Sequence, residues 1–71
     1  MAADEKIVAD FDKHIKAVTD LSTWLDKLYY SEEFSTLFNR PVLRMMITGC
    51  DYLTENLEAL KRKYMARKEG E

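Results

Sequence analysis

The sequence predicts an all-α fold, an antiparallel hairpin of two long helices with a short linking helix, completing a helical bundle by dimerisation. Three observations carry this. Apolar residues recur at alternating steps of three and four over two long stretches, the spacing of one helical face and of the a and d positions of a heptad. The chain is 46% hydrophobic and 34% charged with two glycines and one proline, a composition that favours helix over strand or disorder. The two stretches match in length and are joined by a short link, which sends the chain back the way it came. Residues 1–71 read as one domain, with helices over about 4–30, 32–38 and 41–68.

The first helix opens with Asp4 and Glu5, acids that suit the positive end of the helix dipole. Ile7, Phe11, His14, Val18, Leu21, Leu25 and Leu28 then step by four and three, and define the expected seam. Val8, Ile15 and Tyr29 widen the stripe on one side, Ala17 and Trp24 on the other. Lys6, Asp12, Lys13, Lys16, Asp20, Asp26 and Lys27 form the solvated face. So broad a stripe exceeds what one neighbouring helix covers.

In the connection, Ser31 followed by Glu32 and Glu33 is an N-cap with acids in the first turn. Phe34, Leu37 and Phe38 share a face, enough for one or two turns that fold over the end of the hairpin and plug it. Asn39 suits either the end of that turn or the cap of the next helix ahead of Pro41, whose missing N–H is harmless in a first turn.

The last helix repeats the pattern with Leu43, Met46, Cys50, Leu53, Leu57, Leu60 and Tyr64. Its first half also carries Val42, Met45, Ile47 and Tyr52, apolar over more than half the circumference. Its second half narrows to the seam and ends in Lys61, Arg62, Lys63, Arg67 and Lys68, favoured by the helix dipole. Residues 69–71 are expected to be disordered.

A chain of 71 residues buries only about 60% of its unfolded surface, so its own core is marginal. A lone cysteine rules out an internal disulfide, and one histidine with one cysteine offers no metal staple. Oligomerisation is the staple that remains. The net charge of −2 and pI near 5.4 speak against general nucleic-acid affinity, which needs a basic footprint. With no basic-then-apolar leader and no membrane-length apolar run, a soluble cytoplasmic protein is expected, without membrane contact.

No phosphate-binding glycine loop, paired-cysteine motif or nucleophile motif is present, and no enzyme, cofactor or metal is expected. His14 lies on the apolar seam without a visible partner constellation, so packing outweighs a pH switch or acid/base role. Cys50 reads as a core residue: its neighbour Asp51 disfavours a thiolate, and cysteines are often buried. Gly49 within a helix costs about 1 kcal/mol against alanine, which either marks close approach of another backbone or is simply tolerated. Arg40 and Arg44 are explained by local ion pairs with Glu32 and Glu33 rather than by an anionic ligand.

Two functional classes follow. The favoured one is a small non-enzymatic protein–protein interaction module, of adaptor, regulator or inhibitor type, that self-associates as a dimer and binds a further protein. Its expected interface residues are Met45, Gly49, Tyr52, Trp24, Phe34 and Phe38, with Met45, Gly49 and Tyr52 as the patch joining protomers. The alternative is a nucleic-acid-associated accessory protein touching a polyanion through Lys61, Arg62, Lys63, Arg67 and Lys68. An antiparallel hairpin would set those bases beside Asp4, Glu5, Asp10 and Asp12 and neutralise them.

Overall fold

The computed structural model describes residues 3–37 and 39–70, the side chains at positions 35–37 excepted. Three helices follow in order, α1 (Glu5–Tyr29), α2 (Glu32–Leu37) and α3 (Arg40–Gly70), with no strand among the described residues. The two long helices α1 and α3 pack against each other as a hairpin, and α2 rests on α1. The molecule is a narrow slab with extents of 54 × 17 × 11 Å.

Each helix starts where the local chemistry asks it to. Asp4 is the N-cap of α1, extended at φ −70° and ψ 121°, with its carboxylate accepting from the Lys6 N–H at 2.8 Å. That satisfies one of the donors a helix start leaves unpaired. The Asp4 N–H in turn donates to the Tyr64 hydroxyl oxygen at 3.0 Å, which ties the first residues of α1 to the last turns of α3. Asn39 stands at the N-cap position of α3, its carbonyl accepting from the Val42 and Leu43 N–H groups at 3.1 and 3.2 Å. Pro41 therefore falls in the first turn, as the sequence predicts. At the far end α3 continues through Glu69 and Gly70, where disorder was expected. The cations Arg67 and Lys68 in its last turn favour the negative end of the dipole and support that extension. Glu71 lies outside the described residues.

The core is small and lies toward the linker. Leu25, Leu43 and Cys50 are buried, at 3%, 5% and 9% exposure, and Val18, Leu28, Tyr29 and Ile47 pack around them. Fully burying a leucine stabilises by about 1.5–3 kcal/mol, so the linker end holds most of the hairpin's apolar stability. At that end the Arg40 guanidinium sits 5.7 Å above the Tyr29 ring, and Tyr29 meets Tyr30 edge-on at 5.1 Å. At the opposite end Phe11 packs on Tyr64 at 6.4 Å between ring centres.

The seam is rotated from the one expected. On α1 the buried and half-buried residues are Val8, Phe11, Ile15, Val18, Ser22, Leu25, Leu28 and Tyr29. On α3 they are Leu43, Ile47, Cys50, Thr54, Leu57, Ala59, Lys61, Tyr64, Met65 and Lys68. Phe11, Val18, Leu25, Leu28, Leu43, Cys50, Leu57 and Tyr64 were expected at the seam and are buried or half-buried. Ile7, His14 and Leu21 on α1 and Met46, Leu53 and Leu60 on α3, all expected to be buried, are exposed. The physical reason is that the apolar stripe is three residue lines wide, while a single facing helix covers two. Polar residues at the seam are satisfied locally: the Thr54 hydroxyl donates to the Cys50 carbonyl at 2.9 Å, and Ser22 lies 3.5 Å from the Asp51 carboxylate.

α2 meets part of its expectation. Phe34 is half-buried and the helix rests on α1, whereas the expected plug also involves the Leu37 side chain and Phe38, which lie outside the described residues.

Candidate interaction surface

The heptad phase of the seam sorts every other residue by side. Taking Val8, Ile15, Ser22 and Tyr29 as a positions and Phe11, Val18 and Leu25 as d, the residues just before each a position are Ile7, His14, Leu21 and Leu28. On α3 the a positions are Ile47, Thr54, Lys61 and Lys68, and the residues before them are Met46, Leu53, Leu60 and Arg67. These are the g lines, and in an antiparallel pair the two g lines run along the same side of the seam. The groove at the linker end confirms the assignment: its wall of Trp24, Leu28, Val42 and Met46 joins both g lines to the c positions beside them. That groove measures about 420 Å³ and is floored by Leu25 and Leu43.

One broad face of the hairpin therefore carries Ile7, His14, Leu21, Trp24, Leu28, Val42, Met46, Leu53 and Leu60. All but Leu28 are exposed, Trp24 at 55% and Leu53 at 48%. The opposite side of the seam is polar. There the Lys61 ammonium meets the Asp12 carboxylate at 2.5 Å, and Thr19, Ser22, Asp51, Thr54 and Glu55 line one shallow hollow. Asp26, Arg44 and Thr48 line another beside Tyr29 and Tyr30.

The six expected interface residues do not share one surface. Trp24 stands on the broad face, and Gly49 lies on the same line as Val42, one heptad later. Met45 and Tyr52, 73% and 70% exposed, project from the outer ridge of α3, where with Pro41, Arg44, Thr48 and Gly49 they edge a shallow depression. Gly49 thus stands between the ridge and the broad face. A Cβ built on it meets nothing within 4 Å, so no part of the chain itself comes close there. Phe34 is half-buried on α2, and Phe38 lies outside the described residues.

The basic end of α3 meets the expected neutralisation at one pair, Lys61 with Asp12. Lys61 is half-buried and paired with Asp12, and Arg67 and Lys68 are also engaged in interactions. Arg62 and Lys63 are exposed. His14 is exposed on the broad face, while Cys50 is buried with a free thiol. Among the described residues no group of three or more His, Cys, Asp or Glu is placed to hold a metal ion, and no helix is long and apolar enough to cross a membrane. The chain matches no protein-family model, no curated protein and no solved structure.

Proposed function

We propose that this protein is a non-enzymatic helical interaction module that works as a self-associated dimer. One observation carries the reading: a third apolar line on each long helix, in register with the seam, lies uncovered on a single face. An a/d seam alone is the pattern of a two-stranded coiled coil. Apolar residues at a, d and g belong to helices that face more than one neighbour in a bundle. A continuous exposed stripe of this kind marks an association site on a soluble chain.

Self-association also answers the weakness of the core. Among the described residues only three side chains are buried, few for a chain of this length, and covering the broad face is a large source of further apolar burial. The ridge of Met45 and Tyr52 is left exposed by such an assembly and supplies the surface for a further protein partner, methionine and tyrosine being enriched at interfaces.

The test is light scattering coupled to size exclusion over a range of concentrations, together with urea unfolding at each. A dimer or higher assembly at micromolar concentration is expected, with an unfolding midpoint that rises with protein concentration. A compact protomer whose cooperative unfolding is independent of concentration overturns the reading.

A further inference from the structure

The broad face has a pattern along its length as well as across it. The Asp12–Lys61 and Ser22–Asp51 contacts fix the register of α1 against α3. By that register Leu28 stands level with Met46, Leu21 with Leu53 and His14 with Leu60 on the inner lines. On the outer, c lines Trp24 stands level with Gly49, Ala17 with Asn56 and Asp10 with Lys63. The linker end of the face is thus apolar but for Asn39, and the end nearest the termini carries Asp10 on the α1 side and Lys63 and Arg67 on the α3 side, all exposed.

We propose that a second copy of this chain covers this face with its hairpin tip beside the first tip, the two-fold axis running along the hairpin. This rests on the self-association proposed above and adds the face and the orientation. A two-fold dimer of two facing slabs has two simple arrangements. With the axis along the hairpin, each α1 lies over the partner's α3 and like levels meet. With the axis across it, each α1 lies over the partner's α1 and the tip of one meets the terminal end of the other.

Size and charge both select the first. Across the axis along the hairpin, the outer-line residues of α1 face those of α3 at the same level. The largest side chain of the face, Trp24, then lies over the one position without a side chain, Gly49, where the space beyond the backbone is open. Asp10 lies over Lys63, and each of these matches occurs twice by symmetry. The apolar ends meet each other. With the axis across the hairpin, the same levels set Asp10 over Trp24 and Lys63 over Gly49, leaving charges unpaired against apolar surface.

The area is sufficient. The slab is 17 Å wide between Cα extremes. Over roughly 40 Å of paired helix this gives a footprint on the order of 700 Å² before side chains extend it, close to the ~800 Å² per partner of a standard interface. A lone helix, about 10–12 Å across, would leave Trp24 or Val42 at the edge uncovered.

Charge reversal in the full chain tests the orientation. Asp10→Lys alone sets two bases face to face in the proposed dimer, and Lys63→Asp alone sets two acids. Each is expected to weaken self-association roughly tenfold. Mixed in equal amounts they should form a heterodimer of near wild-type affinity, read by native mass spectrometry. Spin labels on Tyr30→Cys in a Cys50→Ala background give a second reading. Tip-to-tip pairing places the labels within about 25 Å, two helix diameters, whereas tip-to-tail pairing separates them by about 40 Å or more. The mixing experiment stands alone if the Cys50→Ala background does not fold. A dimer that neither charge reversal weakens, or that shows the long separation, overturns the orientation while leaving self-association intact. A protomer at all concentrations overturns both.

Discussion

The two sides of the hairpin seam share one backbone and one seven-residue repeat, yet they carry opposite chemistry. On one side the lines beside the seam hold Leu21, Leu28, Met46, Leu53 and Leu60, with Trp24 and Val42 outside them. On the other they hold Asp12, Thr19, Asp26, Arg44 and Asp51, joined across the seam by the Lys61–Asp12 pair. A hairpin that needed only to be stable by itself would gain nothing from such segregation, since both sides are equally open to water. Placing most of the surplus apolar residues beside one edge of the seam makes sense when that side is to be covered and the other is to stay wet.

The contrast can be broken from its core outward. Leu25→Ala or Leu43→Ala removes a buried side chain at the heart of the linker end and should cost about 2–5 kcal/mol in urea unfolding. Leu21→Ala, on a half-exposed residue, should barely change unfolding at low protein concentration and should lower it at high concentration, where association contributes. Equal losses from all three at low concentration would show that the seam runs through Leu21 after all.

A charge on the apolar side comes next. Leu53→Glu should weaken association by a hundredfold or more, about 3 kcal/mol for an acid with no partner in a covered face. Thr19→Glu on the polar side should leave the mass in solution unchanged. If the two variants dissociate the protein alike, the two sides are not functionally distinct.

His14 is the polar interruption of the apolar line on α1, level with Leu60. His14→Leu should tighten association about five- to tenfold, the effect of one further apolar side chain partly buried at the contact. The smallest effect is expected on the polar side. Asp12→Asn removes a pair in which the aspartate side chain is 56% exposed, and screening by water should hold the loss under about 0.5 kcal/mol.

Much of this was legible in the sequence, but not the choice that matters most. The alternation of three and four gives the helices, their lengths and the shared line through Phe11, Val18, Leu25, Leu43, Cys50 and Leu57. Periodicity leaves open whether Leu21 or Ser22, and Met46 or Ile47, completes the seam, because each is compatible with the same repeat. The larger apolar residue is the natural expectation, and at these positions the hairpin turns it outward instead. The cue available was the polarity of the neighbours: Asp12, Asp26 and Asp51 lie next to the lines that pack, where they can reach across to serine or lysine. The link from the Asp4 N–H to the Tyr64 hydroxyl, sixty residues apart, leaves no local trace in the sequence at all. The basic end was better anticipated, because an antiparallel return necessarily lays Lys61 beside the acids of the first helix.

The strict three-and-four spacing of the seam has a consequence for what shape can fit the molecule. Helices with 3.6 residues per turn that keep a seven-residue repeat must wind around each other in a left-handed screw. With a pitch of about 150 Å, the 54 Å length of this molecule spans about a third of a revolution. The apolar side is therefore expected to curl along its length rather than lie flat. A flat surface can touch it along only part of its length, and a straight helix without the repeat slips out of phase by about 20° every seven residues. Only a surface wound with the same hand and pitch follows it from end to end, and a second chain of identical sequence has that winding built in.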